Sequence, residues 1–172
     1  MTPTRAKISL LEKAAKAGQL AENTILVLLL SAMILLASTQ IFLRNFLSSG
    51  IPWADEALRL IVLWLAMFGA IAASREERHI SIDVLSKMLP AGGREWAAAL
   101  VNLFTATVSL TLAWYSWFFV ADSYAFEDLL LEGFPAWVLQ SVLPIGFFLI
   151  GYRYAVLFLN RAATIITGAG KK

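Results

Sequence analysis

The sequence predicts an all-α integral membrane protein with four transmembrane helices, an N-terminal amphipathic interfacial helix and both termini cytoplasmic. Three observations predict it. First, the 172 residues are 59% hydrophobic and 15% charged, with mean hydropathy +0.72, whereas a soluble domain is about 45–50% apolar and about 25% charged. Counting tyrosine as apolar does not create the excess: the reference set counts glycine instead, and the chain has 4 Tyr against 10 Gly. A globule of this size would expose large apolar patches. Second, charge is missing from runs long enough to cross a bilayer. Third, the Lys and Arg residues alternate between the ends of those runs.

The elements follow in order. Within residues 4–18, Arg5, Ser9, Glu12 and Lys16 share one helical face and Ile8, Leu11 and Ala15 another. That pattern predicts a short amphipathic helix on the inner membrane surface, serving as an anchor or a partner contact. The next run, 23–43, has 21 uncharged positions, enough for about 30 Å at about 1.5 Å per residue. It predicts a first transmembrane helix over about 20–43. The run is too long for a secretory signal and no small-x-small cleavage site follows, so this helix is expected to stay.

Residues 60–74 form a shorter uncharged run that extends to a helix over about 53–75, with Asp55, Glu56 and Arg59 near its outer end. Residues 96–121 give 26 uncharged positions and 133–152 give 20. They predict a third helix at about 96–121 and a fourth at about 133–160. Pro144 lies inside the fourth, where a kink is expected and a break is not, because neighbouring helices can satisfy the freed carbonyl. Between the second and third spans, Ser81 can cap a short interfacial helix over about 82–89, stopped by Pro90.

Orientation follows from the bases. Twelve of the 14 Lys and Arg lie in the N-terminal stretch, the second loop and the C-terminal end, while Arg44 and Arg59 alone lie on the other side. Positive-inside places both termini in the cytoplasm. The third loop carries Asp122, Glu127, Asp128 and Glu132 with no base. Trp53, Trp114, Trp117 and Trp137 mark the outer interface, and Trp96, Tyr152 and Tyr154 the inner one.

Composition also excludes chemistry. With no Cys there is no disulfide, thiolate nucleophile or Cys-ligated metal. One His cannot build a bis-His haem or a His-rich zinc site. No catalytic residue, cofactor, metal or nucleic-acid partner is expected. What remains is a set of candidate contacts. Glu56 and Arg59, at i and i+3, can pair on one face, either to fix helix depth or to meet a second membrane protein. Ala66, Gly69, Ala70 and Ala73 form a small-residue stripe whose spacing permits close helix approach, within this chain or against another. Asn102, Thr105, Ser109, Ala113 and Ser116 form a second stripe, expected to serve helix packing more than a solute path. His79 can donate to Asp83 or to a carbonyl. The acidic third loop is an outward negative patch, solvated by default or docking a basic partner surface.

The string Trp53-x-x-Glu56-x-x-Arg59, with Trp64, Gly69-Ala70, Arg75 and His79-Ile80-x-Ile82-Asp83, resembles the signature of the small membrane subunit of tripartite ATP-independent periplasmic (TRAP) transporters. Length, helix count and cytoplasmic termini match as well, so the resemblance covers essentially the whole chain. Two departures are the extra charge of Glu76, Glu77 and Arg78, and Ile82 in place of a commoner Val. The resemblance implies a non-catalytic subunit of a sodium-coupled importer of carboxylate solutes in the bacterial inner membrane. It implies a large multi-span membrane subunit that carries the substrate and sodium sites, and a periplasmic substrate-binding protein that delivers the solute.

On this reading Trp53, Glu56, Arg59, Ala66, Gly69, Ala70, Ala73, Arg75, His79 and Asp83 are partner-interface candidates. Arg44, Arg94 and Arg153 are candidates for lipid headgroups, and Glu127 and Asp128 for docking the binding protein. A competing expectation is a stand-alone four-helix homodimeric transporter, for which Glu22 is the nearest membrane carboxylate. A membrane redox or hydrolytic enzyme is disfavoured by one His and no Cys.

Overall fold

Lipid offers no hydrogen bonds to a bare backbone, so an apolar run that crosses a bilayer must pair its own N–H and C=O groups, and a helix does so within one segment. The computed structural model describes residues 3–76 and 91–166, with side chains for 18–74 and 96–166. It is helical nearly throughout: α1 Pro3–Leu47, α2 Ala54–Glu76, α3 Ala91–Ala125, α4 Ala136–Gln140 and α5 Val142–Ile166. A two-stranded antiparallel hairpin, β1 Leu129–Leu130 with β2 Phe134–Pro135, stands between α3 and α4. Among the described residues, four stretches are long and apolar enough to span a membrane: Gly18–Leu47, Ala54–Ser74, Trp96–Ala125 and Ala136–Ile166. The chain divides into two units, residues 1–72 and 73–172.

In the first unit, α1 differs from expectation. Residues 4–18 are not a separate element, because the helix runs from Pro3 to Leu47 without interruption. Gly18 costs a helix only about 1 kcal/mol relative to Ala, and no proline follows Pro3 before the helix ends. The end of α1 is set at Ser48, which adopts a left-handed conformation (φ 48°), and Ser49 N–H donates to the Leu43 carbonyl at 3.3 Å. Asp55 and Glu56 then fall in the first turn of α2, where acidic side chains complement the helix dipole.

In the second unit, α3 and α5 pack side by side. The buried side chains of α3 recur at helical spacing: Ala99, Asn102, Ala106, Ser109 and Ala113. On α5, Val142, Pro144, Gly146, Gly151 and Tyr154 are buried. At Gly151 the two helices approach closely. A Cβ built there would lie 2.8 Å from Leu110 Cγ and 3.2 Å from the Leu110 backbone N. Small residues at such a crossing let two helices approach when lipid provides no hydrophobic drive.

The second expected stripe is therefore a packing face, with Asn102, Ser109 and Ala113 buried and Thr105 and Ser116 half-buried. The exposed hydroxyls of Thr107 and Thr111 satisfy themselves, donating to the carbonyls of Leu103 (2.9 Å) and Thr107 (2.8 Å). Tyr154, expected as an interface marker, is instead buried.

The fourth span needs correction at its start. Residues 133–135, expected to be helical, belong to the hairpin. Leu130 pairs with Phe134 and Leu129 with Pro135, and the connecting Leu131 (φ 51°), Glu132 (φ 60°) and Gly133 (φ 144°) all have positive φ. Only glycine enters the last of those regions freely. The helix begins at Ala136, whose N–H donates to the Asp128 carbonyl at 2.8 Å, and ends at Ile166.

One residue, Ser141, interrupts it while keeping a right-handed helical backbone (φ −58°, ψ −19°). Pro144 explains the lapse, since it has no N–H to offer the carbonyl four residues back, at Gln140. The span continues across the lapse. The third span likewise lies in a helix longer than the expected 96–121. The short helix expected over 82–89 lies outside the described residues.

Candidate functional site

No cluster of His, Cys, Asp or Glu able to hold a metal occurs among the described residues, so the candidate sites are surfaces. The face of α2 comes first. In its small-residue stripe, Ala66, Ala70 and Ala73 are exposed and Gly69 is half-buried. A Cβ placed on Gly69 would meet no atom within 4 Å. On other faces of the same helix, Met67 and Ser74 are buried. The spacing that permits close approach is thus present on a spanning helix, with three of its four residues exposed. Near the start of the helix, Glu56 is half-buried, Arg59 and Trp53 are exposed, and Ala54 and Ala57 are buried. Arg75 lies on the last turn of α2 and Arg94 on the first turns of α3, with side chains outside the described set. His79 and Asp83 lie outside the described residues.

The loop before α2 holds a feature that the charge pattern did not disclose. Gln40 is buried, and its side-chain amide pairs with the backbone of Ile51 as a strand would. Ile51 N–H donates to Gln40 Oε1 at 3.0 Å, and Gln40 Nε2 donates to the Ile51 carbonyl at 3.3 Å. Gly50 leaves room for this clamp, because a Cβ there would lie 3.3 Å from Gln40 Nε2. One helical turn further, Arg44 Nη2 donates to Asp55 Oδ2 at 3.1 Å. Arg44, expected to meet a lipid headgroup, is thus paired with a carboxylate of its own chain. Its side chain remains 65% exposed, so the pair contributes about 1 kcal/mol at most. The available signal for the clamp was Gln40 itself, a lone long amide late in a run of otherwise small or apolar residues.

The acidic loop presents Asp122, Glu127, Asp128 and Glu132 as exposed side chains. Glu127 sits at φ 53°, and the backbone around it is pinned by Asp128 N–H donating to the Ser123 carbonyl at 3.1 Å. Ser123 Oγ donates to Gln140 Oε1 at 2.8 Å, which ties the end of α3 to the end of α4. Phe126, Leu129 and Phe134 project from the same loop into the open. The acids therefore ride on a braced platform with apolar edges, a feature that acidity alone did not suggest. Arg153 lies half-buried on α5.

Beside that platform, a groove of about 910 Å³ runs between α3 and the α4–α5 span. Its walls are almost wholly apolar and include Trp114, Trp117 and Phe148. Tyr124 and Trp137 stand at its loop end, edge to face, with ring centroids 5.7 Å apart.

Comparison with known proteins identifies a family. The family model for tripartite ATP-independent periplasmic transporters, DctQ component, matches residues 33–164. The chain is 30% identical over 112 residues to the ectoine TRAP transporter small permease protein TeaB of Halomonas elongata, covering 64% of this chain and 58% of that protein. It is 26% identical over 170 residues to the C4-dicarboxylate TRAP transporter small permease protein DctQ of Vibrio cholerae, covering 86% and 72% respectively. A shorter match, 30% over 64 residues, reaches the sialic acid TRAP transporter permease protein SiaT of Haemophilus influenzae, covering 37% of this chain and 10% of that protein. The chain thus spans less than two thirds of the ectoine relative's length.

Proposed function

We propose a function from one premise: the chain belongs to the DctQ-component family of TRAP transporters, as a small permease subunit. On our reading it is a multi-pass, non-catalytic scaffold in the bacterial inner membrane. It holds a larger membrane subunit of a sodium-coupled importer and helps receive the periplasmic substrate-binding protein. The solute is a carboxylate, in keeping with the C4-dicarboxylate and sialic acid in the names of its relatives. Both termini face the cytoplasm.

The observation that carries this reading is the uncovered stripe of α2. A small-residue stripe on a membrane-spanning helix is a packing device; Ala66, Ala70 and Ala73 are exposed, and a Cβ on Gly69 would meet no atom within 4 Å. The large subunit supplies the helix that packs against them. Trp53, Glu56, Arg59 and Arg75 extend the same contact towards the two membrane faces, continued by His79 and Asp83 on the cytoplasmic side. Arg94 and Arg153 meet lipid headgroups, as does the outer edge of Arg44. Glu127 and Asp128 provide the negative field that speeds docking of the binding protein.

Co-expression with and without the large permease tests this. The expected result is co-purification of the two chains, and sodium-dependent uptake only when both are reconstituted with the binding protein. Uptake by this chain alone would overturn the scaffold reading in favour of a stand-alone transporter. Reversing the charge of Glu127 and Asp128 should raise the binding-protein concentration needed for half-maximal uptake. An unchanged concentration dependence removes those two residues from docking.

A further inference from the structure

The groove between α3 and the α4–α5 span has no role in the scaffold reading. It is about 910 Å³, within the range of small-molecule sites. From Leu110 to Tyr124 its α3 wall is about 21 Å long at about 1.5 Å per residue. One leaflet of a bilayer has a hydrocarbon depth of about 15 Å, so the groove spans one leaflet and reaches the headgroup level. At that level stand Tyr124 and Trp137, rings with an apolar body and a polar tip.

The walls argue against a protein helix as occupant. Close helix contacts in membranes use small residues, and this unit follows that rule where Gly151 meets Leu110. The groove is instead framed by Trp114, Trp117 and Phe148, whose bulk holds a helix backbone away and leaves channels that a flexible chain can fill. The charge at its mouth selects a headgroup. No Lys or Arg occurs between Arg94 and Arg153, while the adjoining loop carries Glu127, Asp128 and Glu132. Within that stretch of sequence a phosphate finds no Lys or Arg, whereas an ammonium finds the carboxylates of the adjoining loop and the rings of Tyr124 and Trp137.

We propose that this groove binds a zwitterionic phospholipid of the leaflet on the acidic-loop side. An acyl chain lies along Trp114, Trp117 and Phe148, and the ammonium headgroup meets Tyr124, Trp137 and the loop carboxylates. The lipid fills the gap beside the hairpin and couples the position of the acidic loop to the membrane surface.

The test uses the full-length chain in nanodiscs of equal phosphatidylethanolamine and phosphatidylglycerol, followed by release into detergent and native mass spectrometry. Phosphatidylethanolamine should be retained over phosphatidylglycerol by about tenfold, the factor expected of a desolvated cation–π contact. Equal retention, or a preference for the anionic lipid, would overturn the proposal. Ala121→Phe, which fills the groove from an exposed position, should lower retention by about tenfold while leaving the thermal midpoint in lipid-free detergent unchanged. Retention equal to that of the unaltered chain overturns it.

A photo-crosslinking residue at Trp117, activated in native membranes, separates the possible occupants without relying on Ala121. A dominant phospholipid adduct supports the proposal. A dominant adduct to the large subunit or to a second copy of this chain refutes it.

Discussion

The Gly18–Leu47 and Trp96–Ala125 spans are both 30 residues long and have opposite relations to protein. The first has mean hydropathy 2.4 over its most apolar window, and 6% of that window is buried; for the second the values are 1.6 and 28%. The greasier helix is thus the less covered by protein. Hydropathy measures the free energy of entering lipid, and both spans have enough of it. Association inside lipid depends on close backbone approach and polar contacts. The Trp96–Ala125 span has these in Asn102, Ala106 and Ser109, all buried, and in Leu110 drawn against Gly151. The Leu-rich span offers few, and its tie to α2 is concentrated at the loop, through Gln40 and Arg44.

The sharpest way to break this contrast is Gly151→Leu. The new side chain has no room against Leu110, so the α3–α5 pair should lose about 3 kcal/mol or more, measured by reversible unfolding in mixed micelles. Gln40→Ala acts in the other unit. It strands the Ile51 N–H and carbonyl in a part-buried loop and should cost about 2 kcal/mol, with faster hydrogen exchange at the Ile51 amide as a local readout. A double-mutant cycle on Arg44 and Asp55 should return a coupling below about 1 kcal/mol that shrinks further as salt is raised. The smallest effect on stability belongs to Gly69→Leu, within about 0.5 kcal/mol for the chain alone. Its consequence should appear instead as lost co-purification with the large subunit. If Gly69→Leu destabilises the isolated chain as much as Gly151→Leu does, the stripe on α2 packs within this chain and not against a partner.

Much of the architecture is legible in single residues. Glu22 and Arg44 bracket the first span, and Glu95 and Asp122 the core of the third, because a charge rarely enters hydrocarbon unpaired. Pro144 announced an irregular helix, and the lapse at Ser141 stands where a missing N–H requires it. The hairpin was not legible, since its turn depends on positive φ at Leu131 and Glu132, residue types that give no turn signal, with Gly133 alone hinting at it. The Gln40 clamp was signalled only by Gln40 itself. A glutamine late in an apolar run has many conceivable partners, and only the reversal at Ser48 selects Ile51. At the candidate interface the sequence supplied the α2 stripe and the acidic loop but not which stripe was already used.

By itself, then, the sequence determined that lipid is the solvent, where the four spans lie and what family the chain belongs to. These depend on transfer free energies and on residue order, both of which sum along the chain. Tertiary structure alone decided that the stripe on α3 is consumed by packing while the stripe on α2 is uncovered. It also decided that Arg44 is paired within its own chain and that large rings on α3 and α4 enclose a groove. Those outcomes depend on which residues meet across space, and two stripes of helical spacing carry no mark of which one will find a helix within its own chain.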